Sequence, residues 1–106
     1  MYTPDKWMVV KLESPQSAHY RVFATWKGGY MNGDSWKLNS GIVSVEEDAE
    51  FYYFNGSSGS VYQCHKEMYG TTFYGQSVLA DMIERSKERL TVTVLDDQNW
   101  MDVKYE

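Results

Sequence analysis

The chain holds as many aromatic rings as branched aliphatic side chains, seventeen Phe, Tyr and Trp against seventeen Ile, Leu and Val. A core cannot then be purely aliphatic. Some rings must be buried, and their hydroxyls and indole nitrogens need hydrogen-bond partners. Thirteen of the seventeen rings fall between Tyr20 and Tyr74, among Gly, Asn and Ser rather than among Leu and Ile. The densest stretch runs from Trp26 through Gly28, Gly29, Tyr30 and Gly33 to Trp36. Rings set in a glycine-rich turn either seal the core of a small β domain or offer a contact surface, since a large ring supplies area at low entropic cost. With 106 residues, the chain reads as one domain, 1–106, and leaves little material for a large ligand cavity.

Alternation of apolar and polar residues marks the strands. In 6–13, Met8, Val10 and Leu12 point one way and Trp7, Val9 and Lys11 the other. In 18–27, Tyr20, Val22, Ala24 and Trp26 share one face, while His19, Arg21, Thr25 and Lys27 share the other with Phe23 among them. Only Ser14-Pro15-Gln16-Ser17 separates the two, so they are expected to form an antiparallel hairpin. Gly28 to Gly33 breaks regular structure, and 35–38 reads as a short strand. Segments 41–45, 50–54 and 60–65 read as a meander, turned at Glu47-Asp48-Ala49 and at Asn55-Gly56-Ser57-Ser58-Gly59.

One helix is expected, over about 75–89. Val78, Leu79, Met82 and Ile83 form its apolar side, with Leu90 closing the stripe. Lys87 lies within a turn of Glu84 and Arg85 within a turn of Glu88, spacings that allow weak pairing. Residues 91–95 read as a strand. The alternation of Met101, Val103 and Tyr105 leaves 98–106 as a closing edge strand, a free tail, or a segment that folds back to seal the sheet. The expected fold class is α+β: a curved antiparallel sheet of five to seven strands, open or partly closed as a barrel, with one amphipathic helix on it.

The net charge of −5 argues against a dedicated nucleic-acid binder, because phosphate affinity comes mainly from Lys and Arg. The charge is uneven. Residues 1–45 hold five basic and three acidic groups, a balance of +2, and residues 46–106 hold five and twelve, a balance of −7. Such asymmetry either orients the domain on a partner or reflects a solvated acidic helix and tail. A single cysteine, Cys64, excludes an internal disulfide and fits a reducing compartment. The first residues lack the basic and apolar regions of a signal peptide, and no apolar run is long enough for a membrane helix. A cytoplasmic protein without a membrane partner is expected.

Catalytic and metal-binding patterns are weak. Cys64 and His65 are neighbours in an expected strand and point to opposite faces, so one metal cannot take both. Cys64 as nucleophile with His19 as base requires a spatial meeting that no local motif announces, and a lone strand cysteine ordinarily behaves as a small buried hydrophobe. Neither glycine-rich stretch follows a strand and opens a helix as a phosphate cradle does. Asp96, Asp97 and Asp102 lack the spacing of a calcium loop. No cofactor and no catalytic set are expected.

What remains is recognition. Tyr30 and Trp36, with Lys27 and Lys37 beside them, form the candidate binding set, Trp26 and Trp36 being divided between core and surface readings. Such a set suits the centre of a protein interface or stacking on the bases of a single nucleic-acid strand. The leading expectation is a non-enzymatic binding or adaptor protein, with a single-stranded nucleic-acid binder as the alternative and a small enzyme third. If the C-terminal segment is an edge strand, Trp100, Met101, Val103 and Tyr105 would support a homodimer by strand addition.

The opening Met1-Tyr2-Thr3-Pro4-Asp5-Lys6-Trp7, the block Gly28-Gly29-Tyr30 with Asp34-Ser35-Trp36-Lys37-Leu38, Ser40-Gly41-Ile42, and Gly59-Ser60-Val61-Tyr62-Gln63-Cys64 carry a resemblance. Over nearly its whole length the chain resembles a group of small proteins encoded by tailed phages of marine cyanobacteria. The resemblance implies an intracellular product of an infected bacterium that modulates a host or phage component. It supplies no catalytic residues.

Overall fold

The computed structural model describes residues 1–28, 33–96 and 99–105. Strand β1 (Lys6–Glu13) and strand β2 (Ala18–Trp26) pair antiparallel, in register from Lys6 opposite Thr25 to Glu13 opposite Ala18. Ser14 and Ser17 close the turn through the Ser14 N–H donating to the Ser17 carbonyl at 2.8 Å. Strand β3 (Ser35–Leu38) flanks β2, and strand β7 (Thr91–Val94) flanks β1, giving a four-stranded sheet in the order β3-β2-β1-β7. Strands β4 (Ile42–Glu47), β5 (Phe51–Gly56) and β6 (Val61–His65) form a separate three-stranded meander. The expected α+β architecture is present, with seven strands in two antiparallel sheets; these do not close into a barrel.

The faces read from alternation explain why two sheets are needed. Trp7, Val9, Val22 and Ala24 face the meander and pack against Ile42, Phe54, Tyr62 and Cys64. Met8, Val10 and Phe23 face the other way and pack beneath Leu79 of the helix. The hairpin is therefore apolar on both faces and each face needs its own cover. The N-terminal residues stitch the sheets together along one side. Tyr2 donates to the Val61 carbonyl at 2.9 Å and accepts from the Gln63 N–H at 2.7 Å. Trp7 donates to the Met68 carbonyl, and its own carbonyl accepts from Gly70.

Helix α1 spans Phe73–Ser86. It begins two residues earlier than its apolar periodicity suggests because Thr72 caps it, the hydroxyl accepting from the Gly75 N–H at 3.0 Å. Ser86 ends it by taking the N–H groups of both Arg89 and Leu90 on its carbonyl. Lys87 pairs with Glu84 at 2.6 Å as the spacing suggested, whereas Arg85 pairs with Asp81 rather than with Glu88. Among the described residues no helix is long and apolar enough to cross a membrane.

The C-terminal segment is neither an edge strand nor a free tail. Asn99–Asp102 forms a 3₁₀ turn, started by the Asn99 N–H donating to the Asp96 carboxylate at 2.8 Å. That turn swings Trp100 inward until it is 3% exposed, with ring centroids 4.6 Å from Tyr52, 5.2 Å from Phe54 and 5.5 Å from Trp7. Burial of so large a ring outweighs the strand pattern of the residues after it. Trp100 is thereby withdrawn from any dimer edge. Tyr105 folds back as well, edge-on to Tyr20 and donating its hydroxyl to the Trp100 carbonyl at 2.7 Å.

Candidate functional site

The aromatic and basic set read from the sequence is divided by the geometry of β3. Tyr30 lies outside the described residues. Trp36 stands opposite Thr25 and lies on the helix-side face, stacked on Phe23 at 5.7 Å and 38% exposed. Lys37, one residue on, points to the opposite face, where its Nζ sits 5.2 Å from the centre of the Tyr2 ring. Trp26 is half-buried against the inter-sheet core and donates its indole N–H to the Thr3 carbonyl at 3.0 Å. Lys27 follows the end of β2, where its main-chain N–H donates to the Asp5 carboxylate at 2.7 Å. Around the open edge of β3, Tyr2, Trp26, Trp36 and Lys37 border a shallow hollow of about 430 Å³. Lys27 does not border it.

A larger depression lies elsewhere, along β4. It measures about 580 Å³, within the ordinary range of ligand clefts. Five consecutive residues, 43–47, form one wall; Trp100, Met101, Val103 and Tyr105 form the other, with Tyr52 between. Side chains alternate across a strand, so a face-on depression would touch only every second residue. Contact with all five means that the groove meets β4 along its main-chain edge. Among the described residues that edge is unpaired, because β4 is the outermost strand of the meander.

The ladder shows which groups point into the open. The Asp48 N–H donates to the Phe51 carbonyl at 3.0 Å, a bonded rung. Bonded and non-bonded rungs alternate in an antiparallel pair. Val45 opposite Phe54 and Glu47 opposite Tyr52 are thus non-bonded rungs, whose N–H and C=O groups face away from β5. Glu46 and Glu47 are neighbours on this strand and turn their carboxylates to opposite faces, Glu46 accepting from the Asn55 amide at 3.0 Å and Glu47 pairing with Lys66 at 3.0 Å. The indole nitrogen of Trp100 is buried without a hydrogen-bond partner among the described residues. Met101, 51% exposed, offers an apolar rim.

The hairpin that carries β4 is set by Asp48. One carboxylate oxygen accepts the N–H groups of Glu50 and Phe51, and the other accepts the Tyr53 hydroxyl at 2.6 Å. The Tyr53 hydroxyl, followed by those two main-chain donors, holds the Asp48 carboxyl below its ordinary value. The same bond raises the Tyr53 phenol, since ionising it would discard the donated proton.

A Cys–His pair does not assemble. Cys64 lies in the inter-sheet core at 0% exposure, and burial pushes its thiol far up, away from a nucleophilic thiolate. His19 stands opposite Leu12 on the other face of the larger sheet and is exposed. The sheet itself separates them. His65 turns to the outer side of the meander, edge-on to Phe51, with Nδ1 accepting the Glu67 N–H at 3.1 Å. Among the described residues no three His, Cys, Asp or Glu side chains are grouped as metal ligands.

Comparison with protein-family models, curated proteins and solved structures finds no match to this chain. The β4 groove also escapes sequence reasoning, because its second wall comes from a segment whose alternation mimics a strand. The available signal was the Asp96-to-Asn99 spacing, which suits a turn that would carry Trp100 back to the core.

Proposed function

We propose that this chain is a non-enzymatic binding protein that works through protein contacts, with the β4 groove as its docking site. The observation that carries this reading is the meeting of an open strand edge with an aromatic and apolar wall. Main-chain groups supply affinity in such a site and the neighbouring side chains supply selectivity. The separation of Cys64 from His19 supports a binder over an enzyme. On the resemblance to phage proteins, the partner would be a host or phage component met in the cytoplasm of an infected cell.

The single-stranded nucleic-acid reading keeps one observation in its favour, the hollow where exposed Trp36 and Lys37 stand beside Tyr2 and Trp26. Against it stands the net charge of −5.

Selection of the purified protein against a displayed random-peptide library separates these readings. The expected outcome is enrichment of peptides whose binding is lost in Met101→Asp and Val103→Arg and kept in Trp36→Ala. Failure to enrich any peptide, together with oligonucleotide binding at low salt that Trp36→Ala and Lys37→Ala abolish, overturns the proposal in favour of nucleic acid. Low salt is the condition that exaggerates such binding.

A further inference from the structure

Resting on the docking reading of the same groove, we infer that β4 takes up an extended, basic segment of a partner protein as an added strand. Three features select this occupant. The first is backbone geometry. The outward N–H and C=O groups of Val45 and Glu47 are two residues apart, the repeat at which an extended chain presents its own groups to a neighbouring strand. A helix satisfies its main-chain groups internally and has none to offer such an edge, so the occupant is extended.

The second feature is the apolar wall. Trp100, Met101, Val103 and Tyr105 face the edge across the groove, with Tyr52 between the two walls. A strand laid on β4 would send alternate side chains toward these groups, so the segment carries an apolar residue at every second position.

The third feature is charge. Glu46 and Glu47 lie on the strand that receives the segment, within the half of the sequence whose balance is −7. Lys66 occupies Glu47, and the Asn55 amide that bonds Glu46 is neutral, leaving the Glu46 charge without a counter-ion among the described residues. Basic residues between the apolar positions complement it, as opposite charges do across strands. The same carboxylates disfavour a second copy: β4 paired with β4 would set like charges against one another.

The test uses the whole protein and a fluorescein-labelled nine-residue peptide alternating Val and Lys. Its counterparts carry Glu for Lys, or N-methyl groups on the amides that would face β4. We expect the Val–Lys peptide to bind and to protect the Val45 and Glu47 amides from hydrogen exchange. The N-methylated and Glu peptides should each bind about tenfold more weakly or worse, given the hydrogen bonds and charge contacts they lose. Val45→Pro removes one outward N–H at an edge position that tolerates proline, and should lose the peptide while keeping the native circular dichroism spectrum. If that variant fails to fold, the N-methylated peptide still decides.

Equal binding of the N-methylated peptide overturns strand addition, and tighter binding of the Glu peptide overturns the basic occupant; in both cases the groove remains a docking site. Binding of none of the three overturns the inference, and the random-peptide selection then decides whether the docking reading falls too. Protection of β4 without peptide, accompanied by a dimer in sedimentation, overturns it in favour of a second copy.

Discussion

The two faces of the larger sheet are covered by different chemistry. Toward the meander, rings meet rings: Trp7 packs edge-on to Tyr69 at 4.8 Å, near Phe54 at 5.3 Å, and against Trp100 at 5.5 Å. Toward the helix, Met8, Val10 and Phe23 lie beneath Leu79, with Val78, Met82 and Val92 around them. The ring side carries polar tips, and those of Trp7 and Tyr69 are satisfied by tying distant segments together. The indole N–H of Trp7 donates to the His65 carbonyl at 2.7 Å. The Tyr69 hydroxyl accepts the Val9 N–H at 3.1 Å and donates to the Leu95 carbonyl. The helix side is tied more loosely, by a 3.5 Å contact between the Thr25 and Thr71 hydroxyls, and its apolar residues lie mainly against one face of α1. One cover is therefore a cross-linked lid, and the other is a packed rod.

Removing a ring should cost more than removing an aliphatic. Trp7→Ala is expected to lose about 3–5 kcal/mol, through the cavity and through loss of the shorter of the two hydrogen bonds on the His65 carbonyl, which keeps the Met68 N–H at 3.1 Å. Chemical denaturation measures this, and a loss below 2 kcal/mol would mean that the rings act independently. Leu79→Ala on the helix side is expected to cost about 2–3 kcal/mol. Hydrogen exchange should then quicken in α1 before it quickens in β1, and simultaneous loss would erase the distinction between lid and rod.

Gly75→Ala sharpens the helix side. Alanine favours a helix interior by up to about 1 kcal/mol, yet the added Cβ would run into Thr71 Oγ1 and lie 2.9 Å from Thr25 Cγ2 of β2. The expected result is a net loss of about 1–2 kcal/mol, seen as a lower melting temperature; a gain would show that α1 lifts freely from the sheet.

The smallest effect belongs to Asp48, on the hairpin before the groove. Its carboxyl is held below its ordinary value, chiefly by the Tyr53 hydroxyl, so the folded state favours the ionised form. That contribution is complete above the ordinary value and fades as pH falls through the lowered one. Asp48→Asn should flatten the acid limb of the stability profile below about pH 4 and leave neutral pH little changed. An unchanged acid limb would mean that the Tyr53 contact has no energetic role.

Much of this division was legible in the residues. The alternation of Trp7, Val9, Val22 and Ala24 against Met8, Val10 and Phe23 announces two buried faces, and the Ser14–Ser17 turn announces the hairpin. Alternation assigns faces, however, not partners. Nothing local told β4–β6 to form a sheet apart from β1–β3, because that depends on rings far apart in sequence. The candidate site was less legible. Trp36 and Lys37 are adjacent in the chain and for that very reason diverge in space, while the β4 groove owes its second wall to a turn at Asn99 hidden beneath strand-like spacing.

Trp100 also has a consequence in time. Translation releases β1 before the other elements described, yet the indole that fills the space beside Trp7 and Phe54 emerges only after both sheets and the helix have been made. Contacts between segments so far apart slow folding, and surface awaiting them stays open to wrong associations. A nascent chain that has reached the end of β7 thus carries a complete hairpin with one unplugged aromatic face. For that interval, the part of the molecule that later becomes its firmest is the part most in need of a chaperone.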